Sequence, residues 1–256
     1  AEQAAPALEA HGIGLLAGMH VDAGALVEDW RSQVKLDDLE SYHELGVRLD
    51  GVCVGNELRE GGDAPDKKRF TARLAFGLAN VLDTYRRWLD DHGIGTPLTY
   101  AMEGIVLDSD GRFYEWLWPL VDACDIVGMN LYPMGNEAWF TYGAFEESRR
   151  FLRDARVRHD RLARFELHLR EVLTQLETLD KPLILTETGF PSAVDYHIED
   201  EKWVIPEHDT ASYEAVMSEF LDCIRQANAE YGEPIEGLCF YEWRDNLHHR
   251  KIWNVE

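Results

Sequence analysis

Six short apolar runs alternate with longer amphipathic stretches along this 256-residue chain, and this alternation limits the possible folds more than any other feature. Each run is nearly continuous in apolar residues, as expected of strands that are covered on both faces in a parallel sheet. The alternation of strands with helices predicts an α/β fold. The predicted strands are residues 12–22, 51–57, 96–103, 124–133, 182–189 and 237–246.

Three of the intervening stretches have apolar residues at helical spacing and are predicted to be helices. They are residues 66–92, 157–179 and 208–231. The first ends in the sequence DDHGIG, in which Gly93 is predicted to end the helix. Residues 135–156 are too irregular for one element, and we expect a long loop there.

Polar and aromatic residues collect where the predicted strands end. A (β/α)₈ barrel gathers its active site from many strand ends, whereas a doubly wound sheet uses one switch point. Contributions from six strands therefore favour the TIM barrel. A complete barrel has eight strands, and only six are visible here. We favour the interpretation that the first two βα units are absent from this chain, and the alternative is an open barrel. Without a repeat or a linker, residues 1–256 are predicted to form a single, partial TIM-barrel domain.

The net charge argues against two classes of partner. Asp and Glu number 48 against 25 Lys and Arg, which gives −23. We therefore expect neither nucleic acid nor an anionic membrane surface as a partner. The acidity fits a mildly acidic cytosolic protein or one adapted to high salt, where self-repulsion is screened. No apolar run approaches the roughly 20 residues of a membrane span. No signal peptide is visible, so both a cytoplasmic protein and a secreted one without its leader remain open.

Motifs for metals, cofactors and a serine nucleophile are missing from the sequence. The possible metal ligands, which no known spacing supports, are His20, Asp22, Asp245, His248 and His249. No glycine-rich phosphate loop and no G-x-S-x-G elbow is present. We therefore predict no metal and no cofactor. The wide spacing of the cysteines predicts buried thiols, with one disulfide in an exported form as the alternative.

Two sequence motifs place a glutamate at or near the end of a predicted strand. VGNE ends one at Glu57, and TETGFPS contains Glu187 at the end of another. Hydrolysis of a glycosidic bond needs one carboxyl group to protonate the leaving oxygen and a second to attack or stabilise the sugar. Strand ends provide the rigid support that such a pair requires. If two strands precede this chain, the glutamates belong to strands four and seven of eight.

Together these motifs resemble those of the clan A glycoside hydrolases, and most closely glycoside hydrolase family 17. The segment VDACDIVGMNLYP is similar to strand six of bacterial relatives of that family. The resemblance implies a (β/α)₈ barrel that cleaves or transfers β-1,3-glucans with retention. It implies Glu57 as acid/base, Glu187 as nucleophile, Asn56 bound to the sugar 2-hydroxyl and Tyr132 close to the nucleophile. Phe190 stands where the family usually has Trp.

Further substrate-binding candidates follow from their positions. Trp243 and Phe190 fit either core packing or a wall for the sugar ring, and His20 with Asp22 could bind hydroxyl groups. Glu103 is predicted to be either a surface glutamate or a residue that orients other groups by hydrogen bonding, rather than a catalyst. Asn130 completes the set.

The predicted partner is an oligo- or polysaccharide, and the oligomeric state stays open. The predicted function is that of a retaining β-glucan hydrolase. A β-1,4-galactanase or mannanase, a non-catalytic carbohydrate-binding barrel and a metal-dependent barrel hydrolase are the alternatives.

Overall fold

A computed structural model of the chain describes most of its residues. These are residues 10, 14–60, 69–103, 112–133, 150–190, 197–199, 202–204 and 210–240. The chain divides into two compact units, which we describe separately. The first comprises Ala1–Asp108 and Phe113–Met129, and the second comprises Ser109–Arg112 and Asn130–Glu256.

A strand is present in each of the six predicted runs, with residues 241–246 of the last run outside the described residues, and a short hairpin adds two more. The strands are β1 (Leu15–Met19), β2 (Leu49–Asn56), β3 (Leu98–Glu103), β4 (Val127–Asn130), β5 (Leu183–Thr188), β6 (His197–Glu199), β7 (Lys202–Val204) and β8 (Ile235–Phe240). In the first unit, β1 and β3 both pair in parallel with β2. In the second unit, β5 and β8 pair in parallel, while the unpredicted strands β6 and β7 are antiparallel.

Helices separate the strands along the chain. They are α1 (Ala23–Glu28), α2 (Leu36–Glu44), α3 (Ala72–Asp91), α4 (Trp118–Ala123), α5 (Ala155–Glu177) and α6 (Thr210–Glu230). The three predicted helices correspond to α3, α5 and α6. The order of elements and the parallel pairings are those of part of a (β/α) barrel. No helix among the described residues is long and apolar enough to span a membrane.

The core of the first unit lies around β3 and α3. Every residue of β3 is buried, which explains why its sequence is mostly apolar. Helix α3 begins at the Thr71 side chain, which accepts a hydrogen bond from the Leu74 amide. It ends before Gly93, whose φ of +66° lies in the left-handed region, as predicted.

The core of the second unit is formed largely by α5 and α6. The buried residues of α5 recur at helical spacing: Leu162, Phe165, Leu169, Val172, Leu173 and Leu176. The ring of Phe165 lies 4.9 Å from that of Phe220 on α6. Asp154 caps α5 by accepting hydrogen bonds from the Arg156 and Val157 amides.

Three details differ from the sequence predictions. The short helices α1, α2 and α4 were not predicted, because six to nine residues carry too little periodicity. The predicted loop 135–156 lies outside the described residues up to position 149, and its remaining part is largely helical from residue 150 onward. No cysteine forms a disulfide, but only Cys124 is buried, whereas Cys53, Cys223 and Cys239 are half-buried.

Candidate active site

The VGNE motif forms a sharp turn at the end of β2. Gly55 has a φ of +80° and Glu57 a φ of +46°. Glycine tolerates this region, but for a glutamate it is uncommon, and such strain often marks functional positions. Two contacts with β3 hold the turn: the Glu57 amide donates to the Ala101 carbonyl (3.0 Å) and the Leu58 amide to the Tyr100 hydroxyl (2.9 Å). The Glu57 side chain is half-buried.

Glu103 at the end of β3 is a second carboxylate close to Glu57. It is buried, and the Arg59 guanidinium donates a hydrogen bond to its Oε1. Burial raises the pKa of the Glu103 carboxyl above its ordinary value, and the Glu57 charge raises it further, while Arg59 opposes the shift. The pKa of Tyr100 is also raised, first by burial and then by the charges of Glu103 and Glu57. Sequence reasoning identified Glu103 but missed Arg59 and Tyr100.

Glu187 lies near the end of β5 and is held by hydrogen bonds. Its Oε2 accepts a hydrogen bond of 2.6 Å from the Tyr132 hydroxyl, and its backbone carbonyl accepts one of 3.0 Å from the Leu131 amide. The hydroxyl groups of its two neighbours on β5 add further bonds. Thr186 donates to Asn130 Oδ1 (2.6 Å), and Thr188 donates to the Leu131 carbonyl (2.6 Å). The segment after β4 and the end of β5 thus form one rigid support for the Glu187 carboxylate.

Cys239 on β8 is a neighbour of Glu187 that sequence reasoning did not single out. Burial raises the pKa of the Cys239 thiol, and the negative charge of Glu187 adds to this rise. The parallel pairing of β5 with β8, in which Thr188 stands opposite Phe240, brings the two residues close. The only sequence signal for this contact was the position of Cys239 in a strand.

The structure assigns Phe190 to the core rather than to a surface for sugar. Its exposure is 0%, and its ring packs 5.1 Å from Phe151, 5.0 Å from Tyr213 and 5.9 Å from Phe220. A ring enclosed by three others offers no open face for stacking. We therefore do not retain Phe190 as a substrate-binding candidate.

The other candidates have different degrees of exposure. His20 and Asn56 are exposed, Asn130 is fully buried, and Tyr132 is half-buried. Asp22 accepts a hydrogen bond from the Ala25 amide as the N-cap of α1. The candidates that lie outside the described residues are Trp243, Asp245, His248 and His249.

Each unit brings together part of the predicted site. In the first unit, Glu57 lies near Glu103, and in the second, Glu187 lies with Tyr132 and Asn130. A carboxylate at a strand end with a fixed hydroxyl donor is suited to nucleophilic or electrostatic work. In the part of the chain that the structure describes, no three His, Cys, Asp or Glu side chains are grouped to hold a metal ion.

Comparisons with known proteins define the class of fold. No family model matches the chain, and no curated protein sequence matches it significantly. Solved structures do match over nearly the whole chain, at TM-scores above 0.5, and these are glycoside hydrolases. At such low sequence identity the likeness shows the fold alone, which is that of a partial (β/α) barrel.

Three of these structures show how far the likeness extends. A beta-glucosidase from Exiguobacterium marinum has a TM-score of 0.58 at 15% identity, with 96% of this chain and 69% of that chain covered. An endo-laminarinase from Formosa Hel1_33_131 has a TM-score of 0.58 at 14% identity, with coverages of 96% and 65%. The GH53 catalytic domain of Ignisphaera aggregans has a TM-score of 0.54 at 16% identity, with coverages of 93% and 65%. The chain thus spans about two thirds of each.

Proposed function

We propose that this chain is a retaining glycoside hydrolase of β-linked glucan, with β-1,3-glucan as the favoured substrate. The observation that carries the proposal is the bond between the Tyr132 hydroxyl and Glu187 Oε2, 2.6 Å long, at the end of β5. A carboxylate oriented by a charge-assisted hydrogen bond on a rigid strand end has the support that a nucleophile requires. The likeness of the fold to glycoside hydrolases supports the same class.

Glu57 is the proposed acid/base. It follows β2 in a strained turn that β3 holds in place, and Glu103 lies close enough to interact with its charge. Glu103 is buried and accepts a hydrogen bond from Arg59, which fixes it beside the turn that carries Glu57. Arg59 and Glu103 are therefore proposed as positioning residues for Glu57.

The reaction proceeds in two displacements. Glu187 attacks the anomeric carbon, the bond from that carbon to the glycosidic oxygen breaks, and Glu57 donates its proton to the departing oxygen. Glu57 then takes a proton from water, whose oxygen attacks the anomeric carbon and releases the Glu187 carboxylate. Two inversions retain the β configuration. Asn56 is proposed to bind the sugar 2-hydroxyl, and His20 and Trp243 to contact other parts of the substrate.

The first experiment measures the release of reducing sugar from β-1,3-glucan, β-1,4-glucan, β-galactan and β-mannan. We expect release from β-1,3-glucan and a loss of at least about 10³-fold in Glu187→Gln, because the residual rate comes from binding alone. Glu40→Gln, a change at an exposed carboxylate on α2, is the matched control and should leave the rate unchanged. Release of reducing sugar from β-galactan or β-mannan alone would identify that polymer, rather than β-1,3-glucan, as the substrate. A folded chain that binds these polymers without cleaving any would be a carbohydrate-binding barrel.

The second experiment separates the two glutamates by their roles. Aryl β-glucosides with a good leaving group need little protonation, so Glu57→Gln should retain much of the first displacement on them, whereas Glu187→Gln should not. Proton NMR during turnover should show the β anomer first. Initial formation of the α anomer would contradict the double displacement, because inversion needs a single step and a wider separation of the carboxyl groups.

A further inference from the structure

An arginine-rich segment precedes and opens helix α5. Residues 149–164 contain seven arginines and two aspartates, in a chain whose net charge is −23. Such a reversal of local charge has no role in the proposed reaction. It marks a surface with a preference for anions.

Part of this segment lines a small depression in the second unit. The depression measures about 190 Å³, and its lining residues are Arg150, Val157, Asp160, Arg161 and Arg164. The four members on α5 occupy positions i, i+3, i+4 and i+7, which places them along one face of the helix. Arg150 comes from the helical residues just before α5. Three guanidinium groups and one carboxylate thus surround the depression, which we call the arginine depression.

The backbone around the arginine depression is held in place. The Arg158 guanidinium donates to the carbonyl groups of Phe151 (3.5 Å) and Leu152 (3.0 Å), and it also bonds to Glu219 on α6 (2.8 Å). The Asp154 amide donates to the Arg150 carbonyl at 2.8 Å. These contacts fix residues 150–153 against the start of α5, so the arginines start from a defined arrangement.

The arginine depression lies at the end of the second unit that carries Glu187. The ring of Phe151, next to Arg150, lies 5.1 Å from the ring of Phe190, which is three residues beyond Glu187. The amino-terminal end of α5 therefore meets the carboxyl end of β5. Arg150 therefore lies on the side of the second unit where β5 ends, and Asp160 and Arg164 are exposed further along α5.

We propose that the arginine depression binds an anionic group, a carboxylate or a sulfate ester, on the carbohydrate substrate. The planar fork of arginine matches both groups in bidentate geometry. The depression is lined by five residues, whereas a stable protein interface uses about 20–30 residues on each side. The inference rests on the proposed function for the identity of the polymer, and it makes charged glycans the preferred substrates.

The test compares three forms of one β-1,3-glucan, which are unmodified, carboxymethylated and sulfated. Binding is measured by calorimetry with the triple variant Arg150→Gln, Arg161→Gln, Arg164→Gln. The matched control carries the same charge change at exposed arginines on α3 and α6, namely Arg73→Gln, Arg87→Gln and Arg225→Gln.

We expect the native chain to bind at least one charged glucan more tightly than the neutral one, with a preference that weakens as salt rises. The triple variant should lose about tenfold in affinity for that glucan, as expected when three surface ion pairs are lost together. Its affinity for the neutral glucan should not change. The charged form that is preferred identifies the group as carboxylate or sulfate.

An equal loss in the control variant would overturn the proposal, because net charge alone would then explain the preference. An unchanged preference of the triple variant for the charged glucan would also overturn the proposal. The same holds if the triple variant differs from the native chain only in its sedimentation, because the arginine depression would then be a contact between two copies of the chain. Hydrolysis of the neutral glucan without any preference for charge would leave the proposed function intact and reject this site. A preference for a charged glucan without hydrolysis of any glucan would support this site and reject the proposed function.

Discussion

The hydroxyl group of Tyr132 donates a hydrogen bond of 2.6 Å to Oε2 of Glu187, across 55 positions of sequence. This bond joins the segment after β4 to the end of β5. It gives the carboxylate of Glu187 a fixed direction.

Tyr132→Phe should lower kcat by roughly 10- to 100-fold while leaving the fold intact, because a hydrogen bond to a charged group contributes about 1.5–3 kcal/mol. KM should change little if the bond mainly orients the nucleophile. Steady-state kinetics with circular dichroism check both points. Tyr231→Phe, which removes a surface hydroxyl that contacts Thr174, is the control and should keep full activity. Equal activity of the two variants would remove Tyr132 from the mechanism.

Thr188→Val should destabilise the protein by about 1–3 kcal/mol, since it leaves the Leu131 carbonyl without its buried partner at nearly constant side-chain volume. Urea unfolding measures the change. Thr174→Val on the exposed side of α5 is the control, and a surface change of this kind stays within about 0.5 kcal/mol. A cost for Thr188→Val no larger than that of the control would mean that the bond contributes nothing net.

Glu103→Gln should flatten the pH dependence of unfolding. Because the pKa of Glu103 is raised in the folded protein, the unfolded chain loses this proton first as pH rises. Its contribution to the free energy of unfolding is therefore complete below the ordinary value of 4.5 and is lost as pH rises through the folded value. The variant should gain stability relative to the native protein across this window.

Urea unfolding at a series of pH values measures this difference. Glu230→Gln provides a control of opposite sign, because Arg170 holds the pKa of Glu230 below its ordinary value. A constant difference between native protein and Glu103→Gln at every pH would contradict the raised pKa.

Cys239 should react slowly with alkylating reagents, since the thiolate is the reactive form and its formation is disfavoured. The pKa of Cys239 is raised by burial and by the negative charge of Glu187. Glu187→Gln removes the charge and should therefore speed alkylation of Cys239 at pH 8. Mass spectrometry of the modified peptides measures the rate site by site. Cys223, whose raised pKa follows from burial and from Glu166, Asp222 and Glu219, should react at an unchanged rate. This prediction is independent of any enzymatic activity.

The strands and long helices could be predicted because their signal lies in consecutive residues. Residues 182–185 form an apolar run, in which Leu183 and Leu185 are buried, and α5 shows its buried side at helical spacing. The positions of Glu57 and Glu187 near strand ends follow from the same local pattern. The short helices α1, α2 and α4 were missed because one or two turns do not establish a period.

The sequence by itself therefore determined the order of the six predicted strands and the three long helices, and it placed two glutamates at or near the ends of strands. The tertiary structure alone decided what surrounds them. Arg59 meets Glu103 across 44 positions and Tyr132 meets Glu187 across 55, and Phe190 turns into the core. Hydrophobic periodicity is a property of neighbours in the chain. Contacts between distant residues depend on strand register and side-chain rotamers, which no local pattern specifies.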